Sequence, residues 1–146
     1  MPEIPPRPER SPPESSPATE DDLMARFAAL GIASETFRHP PVFTVEEARA
    51  LRGDLQGGHC KCLFLKDKKS ALWLIVVEED RTVDLKALSI AIGAARFSFG
   101  KPELLLERLG VVPGAVTPYA AINDLDGAVT VVLDHGLMGH AVINFH

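Results

Sequence analysis

The stretch "GGHCKCLFLKDKKSALWLIVV", Gly57 to Val77, carries the clearest secondary-structure signal in this 146-residue chain. Its two apolar runs, "CLFL" and "ALWLIVV", are separated by the charged segment "KDKKS". Two such runs joined by a short polar segment predict a β-hairpin. The interpretation of Lys61, which lies in the first of the two predicted strands, depends on this hairpin.

Lys61 stands between the chain's only two cysteines, shortly after a pair of glycines. Side chains alternate along a strand, so Lys61 shares one face with Leu63 and Leu65, while both cysteines share the other face with Phe64. The lysine therefore has two interpretations. Its ammonium either extends past the edge of the core to solvent, or sits at a pocket mouth where the glycines let a ligand approach and the charge meets a phosphate or an oxyanion.

Cys60 and Cys62 admit three interpretations. Two residues apart on a strand, their side chains point the same way about 6.6 Å apart, which is too far for a relaxed disulfide. With His59 they are metal-ligand types, but structural zinc sites need wider cysteine spacing and a second pair, so no metal site is predicted. Nothing local marks either thiol as an activated nucleophile, and packing as small core residues is the favoured interpretation.

The flanking segments predict helices and strands in mixed order. Helical patterns with capping residues occur in "TEDDLMARFAALG" from Thr19, "TVEEARAL" with Thr44 and Glu47, "DLKALSIAIG" after Asp84, and "KPELLLERLG" with Pro102. Two strand-like segments, "GAVTVVLD" and "HAVINF", are joined by the tight turn "HGLMG". This order predicts a single α/β domain, with α+β as the alternative, whose sheet is covered by helices on at least one face.

Composition separates a leader from the domain. Seven of the twelve prolines lie in residues 1–17, a segment too poor in apolar residues to offset its ordering entropy. We therefore expect a disordered proline-rich leader over residues 1–18 and a folded domain over 19–146. No apolar run approaches the roughly 20 residues of a membrane span, no secretory signal is recognisable, and free thiols suit a reducing compartment, so a soluble cytoplasmic protein without membrane contact is expected.

The net charge of −5 argues against a surface that coats nucleic acid broadly. It leaves room for a small, locally basic site. By pattern alone, the lysines of the charged segment are typical of a solvated turn.

The segment "GVVPGAVTPYA", residues 110–120, is a second candidate site. A glycine- and proline-containing loop with Thr117 and exposed backbone amides suits contact with a polar ligand, and equally suits a rigid connection between a helix and a strand. His146, the final residue, is either a solvated histidine or a site residue at a strand end.

Several separate motifs in order resemble the YbaK/prolyl-tRNA synthetase associated domain family. The matching stretches are "HPPVFTVEEA" (39–48), "GGHCKCLFLKDKK" (57–69), "WLIVV" (73–77), "LGVVPGAVTPYAAIND" (109–124) and the final "FH". The resemblance extends from about residue 22 to 146. The tryptophan-containing strand and the Lys-x-Leu-Phe-Leu-Lys-Asp run are most similar to the branch that deacylates alanyl-tRNA(Pro).

This resemblance implies an α/β domain with a mixed sheet and a small pocket for the aminoacyl end of tRNA. The implied reaction is hydrolysis of the ester of a mischarged aminoacyl-tRNA, which needs no metal or other cofactor. Lys61 matches the family's pocket lysine and, with His146, is the implied catalytic residue. Cys62, Gly114, Thr117 and Phe145 are the implied substrate-binding residues.

Two departures from the family pattern bear on function. Many members have asparagine where this chain has Cys62, which replaces an amide by a weak donor. Relatives also continue beyond "FH". The alternatives are therefore a deacylase for another small aminoacyl group, cysteinyl or seryl, and a non-catalytic tRNA-binding module of the same fold.

The implied partner is the 3′ acceptor end of aminoacyl-tRNA, with prolyl-tRNA synthetase or an elongation factor as transient partners. An acidic protein needs only a local basic patch for this purpose. The candidate residues for that patch are Lys61, Lys66, Lys68, Lys69 and Arg52.

Overall fold

The computed structural model describes residues 17–38, 46–47, 50 and 56–145. Its α-helices are α1 (Glu20–Leu30), α2 (Leu85–Ala91) and α3 (Pro102–Leu109), and its 3₁₀ helices are Pro118–Asn123 and His135–Gly139. Its strands are β1 (Gly58–Asp67), β2 (Leu72–Glu78), β3 (Phe97–Phe99), β4 (Val129–Leu133) and β5 (Ile143–Asn144). In these ranges no helix is long and apolar enough to cross a membrane.

The predicted hairpin is confirmed as β1 and β2. The two strands pair antiparallel from Cys60 opposite Glu78 to Lys66 opposite Leu72. Residues 68–70 lie in the turn that connects them, and the last of these, Ser70, adopts a left-handed backbone with φ 66°. A short turn ending in a left-handed residue is a common way to close a hairpin while keeping its right-handed twist.

The two faces of this hairpin enter two separate cores. The first core cluster contains Phe64, Leu74 and Val76 and is covered by α3, by both 3₁₀ helices and by β5. The second contains Leu65 and Ile75 and is covered by α2 and its flanking residues. Both faces of the central strands are therefore buried, as in an α/β arrangement.

The sheet is mixed and has the order β3–β1–β2–β4, with β5 also paired to β1. β4 lies parallel to β2, and β5 lies parallel to β1. The segments "GAVTVVLD" and "HAVINF" are thus both strands, but they pair with different neighbours rather than with each other. The predicted turn between them is a 3₁₀ helix, and its Leu137 is fully buried. This segment connects β4, next to β2, with β5, next to β1.

The predicted helix caps are confirmed where the structure describes them. Thr19 and Asp22 form a reciprocal capping box at the start of α1. Asp84 accepts from two backbone N–H groups of α2, and Gly110 ends α3 with φ 66°. The helix predicted from Thr44 lies largely outside the described residues, as does the leader up to residue 16.

Asp67 corrects the interpretation of the charged turn as wholly solvated, because its side chain is only 5% exposed. Its two carboxylate oxygens accept hydrogen bonds from the backbone N–H groups of Lys69, Ala71 and Ala95 and from Trp73 Nε1, at 2.9–3.3 Å. Burial by itself raises the pKa of this carboxyl, but the four donors outweigh burial, so its pKa lies below the usual value of 3.8.

We expect Asp67→Asn to lower the free energy of unfolding at neutral pH. One carboxylate oxygen that accepts hydrogen bonds is replaced by an NH₂ group, which cannot accept from the surrounding N–H groups. The stabilisation by a carboxylate with a depressed pKa is complete above the unfolded value near 3.8 and disappears as pH falls through the folded value. The urea midpoint of the variant should therefore lie below that of the parent at pH 7 and approach it at pH 3. Asp126→Asn, at an exposed turn, is the control; a pH-independent difference would contradict this account.

Candidate active site

One edge of β1 has no strand partner at residues 60–63 among the described residues, and we call this stretch the uncovered edge. β2 covers one side of the strand throughout, whereas the other side pairs only at its ends, with β5 at Gly58 and His59 and with β3 at residues 65–67. No strand in the described part of the chain pairs with the stretch between them. Lys61 and Cys62, two of the predicted site residues, lie in this stretch.

The backbone of Cys62 faces the uncovered edge. The N–H of Glu79 donates to the carbonyl of His59, so odd-numbered residues of β1 exchange backbone hydrogen bonds with β2. Even-numbered residues turn to the other side, where the N–H of Gly100 donates to the carbonyl of Phe64. Among the described residues the N–H and C=O of Cys62 have no such backbone partner, so they can bond a polar group of a ligand.

The side chain of Cys62 lies on the first face of the sheet, in an apolar setting. Val116 and Phe145 pack against the same core cluster. The ring of Tyr119 meets the ring of Phe145 edge to face at 5.2 Å and that of Phe27 at 5.1 Å. Cys62, Val116, Tyr119 and Phe145 are half-buried groups on this face of the sheet, and we call them the apolar wall. An apolar lining of this kind suits a small aliphatic group of a substrate.

Lys61 starts from the opposite face. It pairs with Val77 across the hairpin and shares the face of Leu63 and Leu65, as the alternation predicted. Its side chain is half-buried, and within the described ranges no ion pair includes its ammonium group. A cation on this part of β1 that has no carboxylate partner among residues 17–38 and 56–145 is available to a negatively charged ligand.

The remaining predicted site residues are differently placed. Thr117 Oγ1 accepts from the N–H of Tyr119 and so caps the 3₁₀ helix at 118–123. Gly114 lies in an exposed turn with φ 90°, where an added Cβ would meet no atom of the described non-neighbouring residues within 4 Å. Phe145 is in the apolar wall, whereas His146 lies outside the described residues.

The glycine pair does not leave room for a ligand, and this part of the prediction was wrong. A Cβ on Gly57, whose φ is 102°, would lie 2.5 Å from the carbonyl oxygen of Val142, and one on Gly58 would lie 2.7 Å from the ring of His140. The space is occupied by the chain's own segment leading into β5. The glycines therefore permit a backbone approach within the protein, which the local sequence could not distinguish from approach by a ligand.

Both cysteines are protonated thiols at neutral pH. Burial, followed by the charges of Glu78 and Glu79, raises the pKa of Cys60 to about 11. Burial, followed by the neighbouring Cys60, raises the pKa of Cys62 to about 12. These surroundings favour the packing interpretation over the nucleophile, since the thiolate is the reactive form.

Tyr119 is a site residue that the sequence analysis did not single out. Its ring packs on Phe145, which shares a core cluster with both cysteines. Burial, and secondarily the charge of Cys60, raises the pKa of its phenol. The available signal was Thr117-Pro118 immediately before an aromatic residue, because such a pair starts a helical turn and orients the side chain of the next residue. In the described ranges no group of three or more metal-ligating side chains is found.

Comparisons with known proteins identify the family to which the chain is similar. A family model described as the aminoacyl-tRNA editing domain matches residues 39–146. The chain is 42% identical over 129 residues to prolyl-tRNA synthetase associated domain-containing protein 1 of Bos taurus, covering 85% of this chain and 75% of that protein. It is 33% identical over 125 residues to the prolyl-tRNA editing protein ProX of Acetoanaerobium sticklandii, covering 85% and 76%.

A solved structure shares the fold. The crystal structure of the hypothetical protein APE2540 superposes with a TM-score of 0.65 over 80% of this chain and 75% of that chain. The two sequences are 22% identical, so this likeness concerns the fold alone.

We expect both thiols to resist alkylation in the folded protein. Their raised pKa values reduce the thiolate fraction at pH 8 by about 100-fold for Cys60 and about 1,000-fold for Cys62 relative to a thiol with a pKa of 9.0. Iodoacetamide labelling and mass spectrometry, with the urea-unfolded chain as control, measure this difference. Rapid labelling of either residue in the folded protein would contradict the protonated state and favour a nucleophilic thiol.

Proposed function

We propose that this chain, which belongs to the aminoacyl-tRNA editing domain family, is a deacylase that hydrolyses the ester of mischarged tRNA(Pro), with alanyl-tRNA(Pro) as its preferred substrate. The family match over residues 39–146 carries the proposal. Similarity to a prolyl-tRNA editing protein supports the choice of tRNA(Pro). We assign the reaction to the cytoplasm, where free thiols persist and aminoacyl-tRNA is used.

The reaction transfers the aminoacyl group to water. Water attacks the ester carbonyl carbon and the carbonyl oxygen becomes an oxyanion. The bond from this carbon to the terminal ribose oxygen then breaks, and that oxygen takes the proton lost by the water, which releases the amino acid and the tRNA. An aminoacyl ester is already labile, so positioning of ester and water supplies much of the rate. No covalent intermediate is required, in agreement with the protonated state of both thiols.

Lys61 is assigned to the negative charge of the substrate. We assign its ammonium group to the stabilisation of either the oxyanion or the phosphate of the terminal nucleotide. The backbone groups of Cys62 on the same edge hold the polar part of the aminoacyl group. His146, adjacent in sequence to Phe145, is proposed to orient the attacking water.

Discrimination against proline is assigned to the apolar wall. Cys62, Val116, Tyr119 and Phe145 limit the volume beside the uncovered edge. A rigid steric limit excludes a larger side chain more strongly than an apolar pocket rejects a smaller one. An alanyl group therefore fits where the ring of a prolyl group does not.

The direct test is hydrolysis of alanyl-, cysteinyl-, seryl- and prolyl-tRNA(Pro) by the purified protein. Alanyl-tRNA(Pro) should be cleaved fastest and prolyl-tRNA(Pro) spared. Lys61→Ala should lower the rate by about 100-fold or more, because it removes the charge that stabilises the transition state. Lys86→Ala, on the exposed surface of α2, is the control for loss of a lysine.

The outcomes separate the alternatives. Faster cleavage of the cysteinyl or seryl ester reassigns the substrate. Binding of tRNA(Pro) with no cleavage above spontaneous loss identifies a non-catalytic module. Equal rates for Lys61→Ala and Lys86→Ala exclude the assigned role of Lys61.

Phe145→Ala should relax the size limit. Removing the ring that packs on Tyr119 enlarges the space beside the uncovered edge, so the ratio of prolyl to alanyl ester hydrolysis should rise by about tenfold. Competition between the two esters at equal concentration measures the ratio directly. Val142→Ala, three residues earlier and exposed, should leave the ratio unchanged; an unchanged ratio in Phe145→Ala would remove this ring from the discrimination.

A further inference from the structure

A second feature lies at the opposite end of β1, where a cavity of about 750 Å³ opens between the β1–β2 turn, β3 and the start of α3. Four positively charged side chains line it: Lys66, Lys68, Arg96 and Lys101. We call this cavity the basic cleft. In a chain with a net charge of −5, such a concentration of positive charge is local and needs an explanation.

The four cations are not used by the described part of the protein itself. All four side chains are exposed, and no ion pair within the described residues includes any of them. Three acids also line the cleft, but Asp67 is satisfied by its four N–H donors. Its charge is directed to these donors rather than to the cations, and the remaining two, Glu103 and Glu107, both lie on α3, so the four cations outnumber the three acids and lie mainly on the β1 and β3 side.

Hydrogen bonds hold this basic side in one arrangement. The N–H of Lys68 donates to the carbonyl of Arg96 at 3.1 Å, and Ser98 Oγ donates to the carbonyl of Lys66 at 3.3 Å. Asp67 joins the same two segments by accepting from the N–H groups of Lys69 and Ala95. The cations therefore project from a braced backbone, so that binding an anion costs little ordering of the chain.

An aromatic ring accompanies the charges. Phe99 lines the cleft and is 64% exposed, although its strand neighbour Phe97 is packed edge to face on Trp73 at 6.0 Å. Cations combined with an exposed aromatic ring are the usual composition of a surface that binds a polynucleotide, with phosphates on the cations and a base or ribose on the ring. A small anion would use neither the ring nor the spread of four cations.

We propose that the basic cleft binds the phosphate backbone of the acceptor stem of the substrate tRNA, while its aminoacyl end lies at Lys61. This inference rests on the proposed function and adds a second contact surface to it. Lys61 and Lys66 are five residues apart on β1, so their backbones are about 17 Å apart, and their long side chains start from opposite faces of the strand. At about 3.4 Å per stacked nucleotide, this distance spans about five nucleotides, enough to pass from the unpaired 3′ end into the paired stem.

The experiment measures the binding of tRNA(Pro) without an attached amino acid as a function of salt concentration. Lys66→Gln/Lys101→Gln removes two of the four cations, and Lys86→Gln/Arg38→Gln removes two exposed cations elsewhere, so both variants carry the same net charge. The cleft variant should bind at least about tenfold more weakly near 0.1 M salt, and its slope of log affinity against log salt should fall by about 1.4–1.8. The control should keep the slope of the parent.

A minihelix containing only the acceptor stem serves as the second probe and should show the same loss. Equal slopes for the cleft variant and the control overturn the proposal. A loss with whole tRNA but not with the minihelix overturns the placement of the acceptor stem in the cleft. Neither RNA carries an amino acid, so the binding measurement does not depend on ester hydrolysis. A failure of tRNA binding by the cleft is therefore observed separately from a failure of the proposed deacylase activity.

Discussion

The antiparallel pairing of β1 with β2 is the interaction on which the other described elements depend. It assigns alternate side chains to two cores, one under α3 and the 3₁₀ helices and one under α2. Leu65, Leu74 and Val76 are fully buried, and each such side chain contributes about 1.5–3 kcal/mol through burial. A slip of one residue would exchange the two faces, so the register is strongly specified.

The same pairing leaves β1 with one edge for other purposes, and the protein uses that edge in three parts. The first part receives β5, which reaches the strand because Gly57 and Gly58 present no side chain there. The last part receives β3. Between them lie Lys61 and Cys62, where backbone groups without a strand partner among the described residues have a lysine on one face of the sheet and the apolar wall on the other.

Charge is distributed along β1 in a way that the net charge conceals. The ammonium of Lys61 and the four cations of the basic cleft are separated by much of the length of the strand, whereas the chain as a whole is acidic. Because the hairpin turn is braced through the buried carboxylate of Asp67, the two positive regions keep a fixed spacing. A polymer with regularly spaced phosphates is the ligand for which such a spacing matters.

Short-range features were readable from the amino-acid order. The alternation that separates Lys61 from Cys62, the hairpin, and the caps at Thr19, Asp84 and Gly110 depend on residues within a few positions of each other. The resemblance to a known family likewise comes from contiguous motifs, and the family match supports it. Such features can be predicted because the interactions that create them are local.

The long-range features required the folded chain. Asp67 stands in a charged run that is typical of a solvent-exposed turn. The cost of burying its carboxylate is offset partly by a hydrogen bond from the N–H of Ala95, 28 residues away. The glycine pair is equally compatible with a ligand and with the chain's own backbone, and only the path of the segment before β5 shows that the space is filled. The position of the uncovered edge is decided in the same way, because strand pairing joins residues far apart in sequence and no local pattern records which partner arrives.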